Sequence, residues 1–464
     1  MKILLITHEY TRSGGPISLF RMTGALKELR PDWHIEVLGL EPGPLRAEYR
    51  DELLIPAHEI VLERDRSYHY QPLLEKVQAI APDVVLLNGI TLYQEAIFLR
   101  WMGIRSLWWV HDGIHVPTRD GYPFTLPELE VLTRLALEYA DRYVFSARDT
   151  MEQYEAFCPS LNGKSTVIPY GFDGAHLRRR YLELKPHRPV LRRELGFGED
   201  DFVFLCVGAI QKRKNQLGLT RAFVRFAKEL SAGEASRCRL AFLGGRNTTD
   251  PEAPGYELAI RQAIPDALTG QVHFLGMQPS SVPYFVASDA HALVSTNECS
   301  PLANVESMLC EVPCISSAVH GIPETVQPGL TGFLVDPAQQ ESIARTLREV
   351  HDLGRSGALE LAKLKEGALK FALDERSVES MARRFAGVFE DMVRSIPSEA
   401  GALTLNPAVQ VYLQEQMALR WRLARNDAAF DTMMVRHHAR RFLPDPPSIR
   451  RLLKKVVRRV IRRR

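Results

Sequence analysis

Strand-sized apolar runs alternate with amphipathic stretches of helical length, and the alternation starts twice, which leaves the chain few architectures. Apolar runs at 3–7, 35–40, 84–88, 107–110 and 143–146, with an amphipathic stretch at 16–30, make the first series. A second begins after a polar, Arg-rich stretch at 174–201, with runs at 202–208, 239–244, 272–276, 290–295 and 314–316. This is the βαβ rhythm of a doubly wound parallel sheet, since parallel neighbours need a long crossover and a helix is what covers the sheet. Two such series in 464 residues exceed one ordinary core. The expected fold class is α/β: two facing Rossmann-like domains with a cleft between them, plus a helical C-terminal extension. The boundaries read as 1–173 for the first domain, 174–190 for a linker, 191–372 for the second domain, 373–447 for a helical region packing partly on the first domain, and 448–464 for a basic amphipathic tail.

With 45% hydrophobic and 25% charged residues and no low-complexity tract, the composition is that of a globular protein. The apolar runs are far shorter than the roughly 18 to 20 residues of a spanning helix. Six cysteines lie scattered without a C-x-x-C pair, and the opening residues lack the order of a secretory signal, so a reducing cytoplasm is expected. No His or Cys cluster has metal-ligand spacing: Cys310 and Cys314 are four apart at a helix end, and His437 and His438 are adjacent in a basic stretch. Neither a metal nor a resident cofactor is expected. Cys299 reads as a spacer, because a catalytic thiol needs a positioned base.

The most informative segment is Glu298-Cys299-Ser300-Pro301-Leu302-Ala303-Asn304-Val305-Glu306. Ser300 reads as the N-cap and Pro301 as the first position of a helix that Pro313 must stop. The N–H groups behind the cap, around Leu302 and Ala303, and the positive end of the helix dipole suit a diphosphate. Glu306 then leans back toward a ribose diol, while Glu298 is placed for sugar hydroxyls. Two glutamates eight apart are often only solvated charges, but a strand, a loop acid, a Ser-Pro start and an inward acid together favour a binding site.

Three further stretches carry candidates. Ser13-Gly14-Gly15-Pro16 follows the first strand and opens a helix, letting backbone approach a ligand, although a plain turn would read the same. A G-x-G-x-x-G fingerprint is absent, which weakens a dehydrogenase reading. His111 ends an apolar strand, where α/β proteins keep their chemistry and where core histidines also occur. Asp112 follows it as a loop-orienting residue. In Gly208-Ala209-Ile210-Gln211-Lys212-Arg213-Lys214-Asn215, cations precede a helix capped by Asn215 and can neutralise a leaving diphosphate, or simply form a solvated basic loop.

Glu298 to Glu306 resembles the E-x7-E motif of family 4 of the retaining GT-B glycosyltransferases. The runs 321–326 (Gly-Ile-Pro-Glu-Thr-Val) and 329–335 (Gly-Leu-Thr-Gly-Phe-Leu-Val) are similar to that family's closing signature, and the likeness extends from about Lys2 to Pro337. The resemblance implies transfer of a sugar from a nucleotide-diphosphate co-substrate to a glycan or lipid-linked acceptor, with retention and without a metal. It implies that His111 touches the transferred sugar, that Lys214 matches the family's lysine with Arg213 supplying the second charge, and that Gly14 and Gly15 lie near the donor phosphates or the acceptor. Two positions depart from the pattern: Ala209 stands where relatives carry Arg, and Tyr170 where they carry Asn. A nucleotide-sugar epimerase or a non-catalytic nucleotide-sugar-binding module would share the fold, and the intact Glu298, Glu306, Lys214 and His111 set argues against the second.

Net charge is only +3, yet residues 448–464 hold nine Lys or Arg and no acid, so the remainder carries −6. In this tail Ile449, Leu452, Leu453, Val456, Val457, Val460 and Ile461 form one helical stripe and the bases the other, the pattern of a helix lying in an anionic membrane surface. Basic runs also attract nucleic acid, but that needs no aliphatic face, so no nucleic acid is expected. The expectation is peripheral docking on the inner face of the cytoplasmic membrane, in cell-envelope polysaccharide or glycolipid synthesis.

Overall fold

Near-continuous apolar strands are covered on both faces, as parallel sheets require. The computed structural model describes residues 1–60, 70–111, 137, 139–246 and 252–395. In the first unit these form β1 (Lys2–Thr7), α1 (Gly14–Leu29), β2 (His34–Gly39), α2 (Leu45–Asp51), β3 (Ala57–Glu59), α3 (Tyr70–Ile80), β4 (Val84–Asn88), α4 (Tyr93–Trp101), β5 (Ser106–Val110), β6 (Arg142–Phe145), α5 (Arg148–Phe157) and β7 (Ser165–Val167). The sheet runs β3-β2-β1-β4-β5-β6-β7, every pair parallel. Strand β5 is buried throughout, and its neighbouring tryptophans part to opposite faces, Trp108 into one core cluster and Trp109 into the other.

The second unit contains α6 (Gly174–Leu184), α7 (Arg188–Glu194), β8 (Phe202–Val207), α8 (Gln216–Lys228), α9 (Ala232–Ala235), β9 (Cys238–Leu243), α10 (Ala253–Gln262), β10 (Val272–Gly276), α11 (Val282–Ala287), β11 (Ala290–Leu293), α12 (Leu302–Leu309), β12 (Cys314–Ser317), β13 (Gly332–Val335), α13 (Gln340–Ser356) and α14 (Leu359–Glu375). Its sheet is also parallel, in the order β10-β9-β8-β11-β12-β13. In each sheet the strand order reverses, at β1/β4 and at β8/β11, and ligands of open α/β sheets bind beyond the carboxyl ends at such points.

Several expectations change. The Arg-rich stretch read as a linker over 174–190 folds into α6 and the start of α7. Tyr181 is buried there and Leu177, Leu184 and Leu191 pack with it against Leu205, Leu243 and Phe285. Its arginines mislead because their partners are remote in sequence: Arg178 donates to Leu309 O and Glu311, and Arg188 to Ser288 O and Asp289. Strands β3, β7 and β13, of three, three and four residues, are too short for a period-2 pattern to declare itself. Helix α1 starts at Gly14, two residues before Pro16. Asp112 and residues 396–464, which include the basic tail, lie outside the described residues. Among the described residues no helix is long and apolar enough to cross a membrane.

The chain passes between the units at two adjacent places. Phe172 N donates to Arg376 O at 2.8 Å and Val378 N to Phe172 O at 2.8 Å, so outgoing and returning segments pair like strands. The returning segment continues as α15 (Val378–Ser395), which lies on α1 and buries Met381, Phe385, Phe389 and Met392 in the first unit's core. Phe385 packs on Trp109 with ring centroids 4.7 Å apart. Phe385→Ala is expected to destabilise the first unit by about 3 to 5 kcal/mol through lost burial and a residual cavity. Urea unfolding checks this, and a loss under about 1 kcal/mol would mean α15 is not integral to that core.

Candidate functional site

At the carboxyl end of β8, Gly208 takes φ +149°, and its bare Cα lets Lys214 fold over the strand end, a notional Cβ there lying 3.5 Å from Lys214 Cε. The 3-10 turn Lys212–Lys214 is tied to the loop after β11 by Thr296 N donating to Arg213 O at 2.8 Å. Both cations then converge on Glu298: Lys214 Nζ lies 2.5 Å and Arg213 Nη1 2.8 Å from Glu298 Oε2. The Glu298 and Lys214 side chains are 13% and 11% exposed, so the pair is largely out of water. Burial works to raise the Glu298 pKa, but Lys214 and Arg213 overrule it and hold the carboxyl at about 2. The trio keeps one positive charge in excess. Asn215, expected as a helix cap, stands at the start of α8 with φ +54° and makes no side-chain cap. Its amide donates to Pro337 O at 3.1 Å instead.

Helix α12 begins at Leu302, one residue later than expected. Pro301, with ψ 119°, is the N-cap and makes no side-chain cap bond, while Ser300 is buried in the loop before it. The extended ψ keeps Pro301 outside the helix although its φ of −67° would suit either place. The N–H groups of Leu302 and Ala303 head the helix without intrahelical acceptors, as a helix start dictates. The helix ends at Leu309, before Pro313 is reached, with Glu311 in the left-handed region. Leu302 packs against core clusters of both units, so this terminus faces the first unit.

Glu306 accepts from Ser281 Oγ at 2.8 Å. Across the units Arg21 of α1, lying 5.0 Å over the Phe172 ring, acts on it electrostatically, and Arg21 Nη1 is buried without a partner. Burial raises the Glu306 pKa against the pull of Ser281 and Arg21. The two motif glutamates therefore sit in opposite electrostatic settings.

On the first unit, a Cβ placed on Gly15 would stand 3.0 Å from His111 Cδ2, so the glycine gives the imidazole its room. Gly14 meets nothing within 4 Å. Asn88, at the end of β4, gives Nδ2–H to Thr7 Oγ1 at 3.3 Å and accepts through Oδ1 from His111 Nε2 at 2.7 Å. The proton is thus on Nε2, and His111 Nδ1 accepts from the Tyr170 hydroxyl at 2.8 Å. Burial, then the charge of His8, lower the His111 pKa to about 3. Glu9, next in the chain to His8 and bonded by His8, Thr11 and Ser13, is held at about 2.

The candidates thus fall into three groups: Lys214, Arg213 and Glu298 together, Gly15 beside His111, and Glu306 with Ser281 and Arg21. Ser281, Arg21, Asn88, His8 and Glu9 were missed. Asn88, His8 and Glu9 follow a rule available from sequence, polar residues at carboxyl ends of strands β4 and β1, whereas nothing local marks Arg21 or Ser281. Among the described residues no group of three or more His, Cys, Asp or Glu could hold a metal ion.

Residues 187–371 match the family model described as glycosyl transferases group 1. The chain is 24% identical over 259 residues to N-acetyl-alpha-D-glucosaminyl L-malate synthase of Bacillus anthracis, covering 56% of this chain and 59% of that protein. It is 30% identical over 286 residues to D-inositol 3-phosphate glycosyltransferase 1 of Catenulispora acidiphila, covering 58% and 61%. The matches thus span about three fifths of these relatives' length. Among solved structures, Anabaena HepE in complex with UDP-glucose superposes with a TM-score of 0.67 at 19% identity, over 84% of this chain and all of that one. The fold is that of the GT-B glycosyltransferases, with two parallel sheets of seven and six strands.

The pKa directions set an acid sensitivity. His111 binds a proton less readily folded than unfolded, so stability falls as pH drops below about 6.5 toward 3. Glu298 acts in the same sense lower down, its contribution full above 4.5 and lost as pH falls toward 2. The imidazole nitrogens of His111 should keep the neutral, Nε2-protonated signature in NMR from pH 8 to 5. A titration centred near 6.5 would overturn the assignment.

Proposed function

We propose that this protein is a metal-independent, retaining glycosyltransferase of family 4, moving a sugar from a nucleoside-diphosphate donor to an acceptor held against the first unit. The observation that carries the reading is the buried convergence of Lys214 and Arg213 on Glu298 beside the start of α12. A diphosphate fits there because it replaces Glu298 as partner of the two cations and lies against the Leu302 and Ala303 N–H groups. Glu298, relieved of Lys214 and Arg213, is then available to sugar hydroxyls, and Glu306 to the ribose diol. The names of the relatives, both sugar-transferring enzymes, and the UDP-glucose bound by HepE support the same donor class.

In the reaction the bond from the anomeric carbon to the diphosphate oxygen breaks as the acceptor oxygen forms the new one on the same face. The acceptor proton passes to the departing phosphate oxygen, the nearest base on that face. Charge builds on the diphosphate as its bond breaks, and Lys214, Arg213 and the α12 dipole stabilise it more in the transition state than before. A double displacement would instead need a free carboxylate on the opposite face of the sugar. His111, neutral and held by Asn88 and Tyr170, offers the sugar a polar wall without a competing charge. The basic tail, residues 448–464, brings the cleft to a lipid-linked or membrane-associated acceptor on the inner face of the cytoplasmic membrane, in polysaccharide or glycolipid synthesis.

Glu306→Ala should weaken donor binding by at least about tenfold, since each charged hydrogen bond contributes about 1.5 to 3 kcal/mol. Calorimetry with UDP-, GDP- and ADP-sugars tests this, and unchanged affinity for the binding donor removes Glu306 from the site. Turnover should survive EDTA, and Lys214→Ala should lower kcat more than donor affinity. Activity abolished by chelation and restored by Mg²⁺ or Mn²⁺ contradicts the proposal. Full-length protein should sediment with anionic liposomes and a truncation ending at Pro447 should not, each tail base contributing about 1 kcal/mol. Equal sedimentation of the two forms rules out docking by the tail.

A further inference from the structure

Helix α5 of the first unit starts without a cap of its own, because Ala147 stands at the N-cap and has no side-chain acceptor. The acceptor comes from the other unit. Glu324, in the 3-10 turn Ile322–Glu324, takes Arg148 N on Oε2 at 2.9 Å and Asp149 N on Oε1 at 3.0 Å. A carboxylate there also meets the positive end of the α5 dipole. Two further contacts join the same surfaces: His320 Nδ1 lies 3.1 Å from Gln153 Nε2 and 3.5 Å from Asp149 Oδ2, both on α5.

The turn that carries Glu324 also bears on the donor loop. A Cβ on Gly321 would stand 2.1 Å from Cys299 O and 2.3 Å from Ala147 Cβ, so only glycine lets the Glu298-bearing loop, the turn and the start of α5 meet at one point. From behind, Arg376 Nη2 donates to Glu324 O at 3.2 Å and to Thr325 Oγ1 at 2.8 Å, and Arg376 O is the group that Phe172 N pairs with at the crossing between units. One short segment thus touches the donor loop, the first unit and the crossing.

We infer that Glu324 is a positioning residue: by capping α5 across the units it seats the Glu298 loop against the first unit in the arrangement that permits sugar transfer. It touches neither donor nor acceptor, and Lys214, Arg213, Glu298, Glu306 and the start of α12 all belong to the same unit as Glu324, so donor binding does not depend on how that unit is seated against the first. This inference rests on the glycosyl-transfer reading for its kinetic consequence, and on geometry alone for the contact.

The test uses the full chain, with Glu324→Ala, Ala147→Ser and the two combined. Ala147→Ser gives α5 a cap of its own, which separates loss of a cap from loss of the tie between units. Glu324→Ala is expected to lower kcat about tenfold to a hundredfold while donor affinity stays within about twofold, the behaviour of a misplaced reacting group. It should also speed hydrogen exchange at the Arg148 and Asp149 amides. In the double variant the melting temperature and the amide protection should return and kcat should not. Recovery of kcat in the double variant would reduce Glu324 to an ordinary cap, and a fall in donor affinity parallel to kcat would make it a ligand contact; either overturns the inference. If the wild-type chain transfers and hydrolyses no sugar donor, the glycosyl-transfer reading fails by itself. Exchange at α5 then decides the contact, and protection unchanged by Glu324→Ala overturns it.

Discussion

All strands of a parallel sheet present their carboxyl ends at one edge, and the whole site depends on two such edges being brought face to face. Within each sheet the reversal of strand order opens a crevice that the crossover helices leave uncovered. Here one crevice holds Gly15, Asn88 and His111 and the other holds Lys214, Arg213 and Glu298. What aligns the two is covalent economy at the crossings: the outgoing chain at Phe172 and the returning chain at Arg376 to Val378 pair by backbone hydrogen bonds, and α15 then locks into the first core through Phe385 and Phe389.

Electrostatics separates residues that look equivalent. Glu298 and Glu306 are both half or more withdrawn from water, and burial pushes both pKa values up. Two cations reverse the outcome for Glu298, whereas a hydroxyl and a remote guanidinium fail to reverse it for Glu306. The second unit thus presents Lys214, Arg213 and Glu298 as ionised groups with one positive charge in excess, and the first unit a histidine kept neutral between Asn88 and Tyr170. Tyr170, a departure from the pattern that the sequence resembles, supplies the hydroxyl that satisfies His111 Nδ1. Ala209, the other departure, leaves the second charge to Arg213, which reaches Glu298 from four residues further along.

The sequence by itself determined both sheets' central strands, because a strand buried on both faces must be apolar along nearly its whole length, as 84–87 and 107–110 are. It marked 298–306 and 211–214 as candidates for holding an anionic ligand, since a loop acid, a proline-led helix and a run of cations at strand ends announce themselves within a few residues. Short edge strands such as β3 and β13 carry too few residues for a period to show. The helices in 174–190 read as a linker in the sequence because the arginines' carbonyl and carboxylate partners, such as Ser288 and Asp289, lie about a hundred residues away. Only the tertiary structure decided that Arg21 faces Glu306, that Glu324 caps a helix far earlier in the chain, and that His111 is neutral. Each of these is a contact between segments remote in sequence, or a degree of burial, and neither leaves a trace in the order of neighbouring residues.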